Sequence, residues 1–109
     1  MNNKYENIAV SYLRRHGRCI LARNMRLENI EIDILALRRY SPHEEQIELI
    51  EVKARSDTNL AYNPLSKLQI DRYRKFANLL YVRAGKYLDI QIKLLMIDKK
   101  NGLLTEVAI

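Results

Sequence analysis

Three charged residues stand where a strand would normally carry aliphatic side chains: Asp33, Glu51 and Lys53. Asp33 lies in Glu31-Ile32-Asp33-Ile34-Leu35-Ala36-Leu37, the other two in Gln46-Ile47-Glu48-Leu49-Ile50-Glu51-Val52-Lys53. Both runs are rich in Ile, Leu and Val and short enough to be strands. Strand side chains alternate faces. Glu31, Asp33, Leu35 and Leu37 therefore share one face, and Ile47, Leu49, Glu51 and Lys53 share one face of the second strand. An antiparallel hairpin turning near Pro42, across a polar break from Arg38 to Glu45, pairs residue i with residue 84 − i. Asp33 then lies opposite Glu51, and Glu31 opposite Lys53. Opposed pairs bring Cβ atoms to roughly 4.5–5.5 Å, and two carboxylates that close repel unless something positive sits between them. A divalent cation with oxygen ligands at roughly 2.0–2.6 Å would serve.

An acid on one strand followed by Glu-x-Lys on the next suits phosphodiester cleavage. A divalent cation held by the two carboxylates supplies Lewis acidity and an acidified water. The lysine, two residues on and so on the same face, can orient water or steady developing negative charge. The alternative is an exposed hairpin with Glu31–Lys53 and Asp33–Lys53 salt bridges, worth only ~0–1 kcal/mol each. That alternative leaves unexplained why these charges share a face with Leu35, Leu37, Ile47 and Leu49.

The rest of the chain must position this hairpin. Its 109 residues predict one domain, 1–109, with one core. With 48% hydrophobic and 29% charged residues it reads as globular, not disordered. A net charge of +6 and a pI near 9.6 favour a polyanionic partner. The single cysteine, Cys19, excludes an intrachain disulfide and fits a reducing cytoplasm. Next to Ile20-Leu21 it reads as a small buried hydrophobe. His16 and His43 cannot join it in a zinc site of usual spacing. No signal peptide is visible, and no apolar run approaches the ~20 residues of a membrane span.

Asn3 to Arg15 reads as a helix, with Tyr5, Ile8, Ala9, Tyr12 and Leu13 on one face and Gly17 as the stop. Asn2 or Asn3 can cap it. Glu6, beside that stripe, reads from spacing alone as a solvated first-turn acid. Cys19 to Arg26 is a strand candidate. Ser56 to Asn63 reads as a loop, and Pro64 opens a second helix to about Val82. Its apolar side includes Leu65, Leu68, Ile70, Tyr73, Phe76 and Ala77, and its basic side Lys67, Arg72, Arg74 and Lys75. Asp89 to Asp98 is a strand with Ile90, Ile92, Leu94 and Met96 on one face. After the Asn101-Gly102 turn signal, Leu103 to Ile109 returns as an edge strand. The order is α-β-β-β-α-β-β.

The chain resembles the YraN-like proteins, a bacterial family of the PD-(D/E)xK nuclease superfamily related in fold to archaeal Holliday-junction resolvases. The resemblance runs through Glu6-x-x-Ala9-x-x-Tyr12-Leu13, Ile20-Leu21-Ala22-Arg23-Asn24, Glu31-Ile32-Asp33, Glu51-Val52-Lys53-Ala54-Arg55 and Gln69 to Leu80. It departs from the family at Ile30, where glycine is usual, in the loop after Arg55, and at Gln91-Ile92-Lys93 in place of Arg-Phe-Asp. The resemblance implies a restriction-endonuclease-like, three-layer α/β domain with a central mixed sheet flanked by helices. It implies Asp33, Glu51 and the Val52 backbone carbonyl as ligands of Mg²⁺ or Mn²⁺, Lys53 as the catalytic lysine, and Glu6 as a helix-borne acid near the same metal. Gln69 with Tyr73 resembles the Gln-x-x-x-Tyr helix of some superfamily nucleases.

The expected function is a metal-dependent endonuclease acting on duplex or branched DNA, in repair or recombination, in the cytoplasm and away from membranes. Arg55, Lys67, Gln69 and Arg72 are the expected nucleic-acid contacts. The alternative is a non-catalytic nucleic-acid-binding module of the same fold. A third reading, a homodimer or other interaction domain, rests on the apolar last strand.

Overall fold

The computed structural model describes residues 3–56 and 65–109. Asn2, expected as a cap, most of the expected Ser56–Asn63 loop and Pro64 fall outside them. Helix α1 spans Asn3–Arg15, as its apolar spacing predicts. Three antiparallel strands follow: β1 (Arg18–Leu27), β2 (Ile30–Ser41) and β3 (Glu44–Arg55). Helix α2 (Lys67–Ala84) crosses over to β4 (Ile90–Asp98), which pairs parallel to β3, and β5 (Leu104–Ala108) returns antiparallel. The strands lie in chain order, β1-β2-β3-β4-β5. The element order and mixed sheet are those read from the sequence, compatible with a restriction-endonuclease-like domain.

The two helices cover opposite faces. Ile34, Ala36 and Ile50 pack with Ala9, Val10 and Leu13 of α1. Their odd-numbered neighbours Leu35 and Leu49 pack with Tyr73, Phe76 and Ala77 of α2. This is the alternation of a strand buried on both sides. Phe76 is fully buried, so truncating it to alanine would cost about 3–5 kcal/mol. Ser66 caps α2, accepting from Gln69 N while the Gln69 side chain accepts from Ser66 N, and Gly85 closes it in the left-handed conformation (φ 65).

The β2–β3 register is i ↔ 84 − i from Ile34↔Ile50 to Arg39↔Glu45. The break placed from Arg38 to Glu45 is a correction: those residues are mostly strand, and the turn is Pro42-His43 alone. Arg39 and Glu45 pair across it at 2.9 Å, so charges that resemble a loop in sequence hold the end of a hairpin. Two further corrections concern burial. Cys19 is exposed, because its neighbour Arg18 takes the inward position. Leu68, read on the apolar side of α2, is exposed near the helix start.

Arg18 and Glu48, both buried, meet through Nε–Oε1 at 2.8 Å. Glu48 also holds Lys93 Nζ at 2.6 Å. Glu106 accepts from Arg18 through both its oxygens and from Tyr12 Oη at 2.8 Å. Burial works against ionising Arg18 and Glu106. Hydrogen bonds outweigh it: those to Glu48 and then Glu106 raise the guanidinium pKa, and those from Arg18 and then Tyr12 lower that of the Glu106 carboxyl. Two cations and two anions thus neutralise one another on the α1 side of the sheet.

Candidate active site

The β2–β3 ladder ends at Ile34↔Ile50, one step short of the acids. There a side chain replaces the backbone partner: Val52 N donates to Asp33 Oδ2 at 2.8 Å. A strand residue exchanges its N–H and C=O on the same side, so the Val52 carbonyl also points toward β2. Glu51 sits beside Asp33 and accepts from the hydroxyl of Tyr73. The same hydroxyl accepts from Asp33 N at 3.4 Å. Tyr73 therefore ties α2 to both acid-bearing strands. Lys53 Nζ lies 3.5 Å from Glu51 Oε1.

Burial, and then the neighbouring Glu51 charge, push the Asp33 carboxyl up to about 7. The Val52 N–H pulls the other way and does not overcome them. Burial, and then the Glu51 charge, also raise the Tyr73 phenol, which stays protonated and donating. The cross-strand salt bridges Glu31–Lys53 and Asp33–Lys53 do not form among the described residues. Lys53 pairs with Glu51, and Glu31 with Arg26 at 3.3 Å.

Glu6 is not the solvated acid that spacing alone suggests: it is 1% exposed. Its Oε1 accepts from Arg23 Nε at 2.7 Å and from Asn24 Nδ2 at 3.1 Å. Its Oε2 is buried with no hydrogen-bond partner among the described residues. The Glu6 charge also acts on Asp33, disfavouring its ionised form.

A cleft of about 520 Å³ opens over the acid pair, lined by Asn24, Glu31, Asp33, Glu51, Gln69, Arg72 and Tyr73. Of the expected nucleic-acid contacts, Gln69 and Arg72 are brought to it. Arg55 and Lys67 are exposed, at the end of β3 and the start of α2. Gln69 divides its roles, since its Oε1 belongs to the α2 cap. Tyr73 is visible in sequence mainly as a core position, and only the Gln69-x-x-x-Tyr73 spacing hints at more. Asn24 carries no signal beyond its place in the first-strand motif.

The donors suit a hard divalent cation. The Glu51 charge disfavours ionising the adjacent Asp33, a backbone carbonyl is turned the same way, and a buried carboxylate oxygen of Glu6 has no hydrogen-bond partner among the described residues. Among the described residues no three acid, thiol or imidazole side chains form a finished cage. The fit rests on the acid pair and the carbonyl, with Glu6 behind them. No helix among the described residues is long and apolar enough to cross a membrane.

The profile of "Uncharacterised protein family UPF0102" matches residues 5–97. Relatives include a UPF0102 protein of Bacteroides thetaiotaomicron, 36% identical over 93 residues that cover 85% of this chain and 65% of the relative. Another is a UPF0102 protein of Clostridioides difficile, 38% identical over 80 residues, covering 69% of this chain and 65% of the relative. In each case the match covers just under two thirds of the relative's length. The matched span contains Glu6, the two acid-bearing strands and every residue lining the cleft. The chain belongs to the UPF0102 family, the YraN-like family whose motifs it carries.

Proposed function

We propose that this protein is a Mg²⁺- or Mn²⁺-dependent endonuclease acting on DNA, with duplex or branched repair and recombination intermediates as its substrate class and the cytoplasm as its setting. The observation that carries this reading is the Asp33–Glu51 pair, brought together by the hairpin register and lining one cleft, with Lys53 Nζ 3.5 Å from Glu51. Asp33, Glu51 and the Val52 carbonyl would hold the cation, which when bound supplies Lewis acidity toward a phosphodiester. Lys53 shares the acids' face and presents positive charge to a phosphate entering the cleft. Arg72, on the cleft wall, and Arg55, beyond Lys53 on β3, would take neighbouring phosphates, with Lys67 and Gln69 at the start of α2. The net charge of +6 supports a polyanionic partner. A homodimer would place two such sites on one branched substrate.

The test is incubation with labelled linear, flapped and four-way DNAs in Mg²⁺, in Mn²⁺ and in EDTA. Cleavage of at least one in metal, and of none in EDTA, supports the reading. A second reading, a non-catalytic nucleic-acid-binding module, is favoured by one observation: both Glu51 oxygens already have partners, Lys53 and Tyr73. Such a module would hold DNA equally well in EDTA and in metal and would never shorten it. Its binding would weaken steeply with salt.

A further inference from the structure

Asn24 departs from its strand. Its φ is 51, a left-handed conformation that L-residues rarely adopt and that asparagine tolerates best after glycine. The departure falls between the pairs Arg23↔Ile34 and Met25↔Ile32. Ile34 packs with the α1 cluster, whereas Met25 and Ile32 pack with the α2 cluster. The packing of the hairpin thus changes sides around Asn24, whose side chain both reaches Glu6 of α1 and lines the cleft. Non-glycine residues held in such backbone regions cluster at functional sites. A glycine would satisfy the backbone equally well, so what asparagine adds is its amide.

That amide makes a particular contact. Asn24 Nδ2 and Arg23 Nε both donate to one oxygen of Glu6, Oε1, at 3.1 and 2.7 Å. The other oxygen, Oε2, is buried and without a partner among the described residues. A buried carboxylate oxygen left unsatisfied carries an uncompensated desolvation cost, so something should complete it in the working protein. Asn24 also lines the cleft beside Asp33 and Glu51. It is thus the one cleft-lining side chain, among the described residues, with a hydrogen bond to Glu6.

We infer that Asn24 is a positioning residue of the cation site: its amide fixes the rotation of the Glu6 carboxylate, keeping Oε2 free to support a cation held by Asp33 and Glu51. This rests on the metal-dependent reading above. It assigns Asn24 no contact with the reacting phosphate. Groups that orient a metal's ligands typically change affinity by about 10–100-fold when removed.

The test is a double-mutant cycle read by Mn²⁺ titration calorimetry on the wild type, Asn24→Gly, Glu6→Gln and the double variant. Glycine accepts φ 51 without strain, so the melting temperature of Asn24→Gly should stay near that of the wild type. Its Mn²⁺ affinity should fall about tenfold or more, and in the Glu6→Gln background the same change should have little further effect. Unchanged Mn²⁺ affinity in Asn24→Gly overturns the inference, because the contact is then only structural. An equal loss in both backgrounds also overturns it, because Asn24 would then act without Glu6. A wild type that binds no Mn²⁺ removes the metal-dependent reading itself, and this inference with it, a result distinct from the other two.

Discussion

At the scale of single residues, the acid pair sets how the protein responds to pH. Burial, and then Glu51, raise the Asp33 carboxyl from 3.8 to about 7. Between those values the unfolded chain has released a proton that the folded chain keeps. Stability therefore falls as pH rises from about 4 to about 7. Asp33→Asn removes that loss while keeping an oxygen for Val52 N. It should be more stable than the wild type at pH 8 by about 1–2 kcal/mol, the partly solvated group being screened, with the gain absent at pH 4. Urea denaturation at both pH values checks this. Asp33→Asn should also abolish Mn²⁺ binding, since a neutral amide is a poor ligand for a hard cation. Lys53→Ala should separate the two functions. Its cation ligands remain, so Mn²⁺ still binds, while cleavage falls by about 10²-fold if the lysine supports transition-state charge. Full cleavage by Lys53→Ala would return it to the role of a salt-bridge partner for Glu51.

At the scale of elements, the hairpin was legible and its surroundings less so. Two aliphatic runs on either side of Ser41-Pro42-His43 determine both the pairing and its parity, so the Asp33–Glu51 juxtaposition could be read directly. The ends of those strands could not, because Arg38, Arg39, Glu44 and Glu45 pair across strands in a pattern that composition alone reads as a loop. Glu48 was likewise hidden inside an aliphatic run. Its burial makes sense only once Arg18, Lys93 and Glu106 arrive from three other strands. The same holds for Tyr73, whose hydroxyl acquires a role only when α2 docks. Arg18→Met tests the charge network. It leaves Glu48 buried with Lys93 alone, and should cost about 3 kcal/mol, the low end for breaking a buried pair, measured by thermal or urea unfolding. Mn²⁺ affinity should be unaffected, because none of the network's charged residues lines the cleft.

At the scale of the whole molecule, the sheet combines near and distant contacts. The β2–β3 hairpin closes over a two-residue turn, whereas Glu51 meets its β4 partner, Leu94, only after α2 has crossed over. That difference implies an order of events in folding. Short-range pairing can form before long-range pairing has met its loop-closure entropy. The acids would then be brought together while the chain is still incomplete, and Tyr73 would reach Glu51 later. The like-charge repulsion becomes a brake on the rate of folding, and the tyrosine a latch on the finished state. In stopped-flow refolding at pH 8, Asp33→Asn should fold faster than the wild type, most of its stability gain appearing in the folding rate. Tyr73→Phe should fold at nearly the wild-type rate and unfold faster, as expected for a contact made after the transition state. If Tyr73→Phe instead slows folding in proportion to its loss of stability, α2 docks before the barrier and the acids meet under its cover.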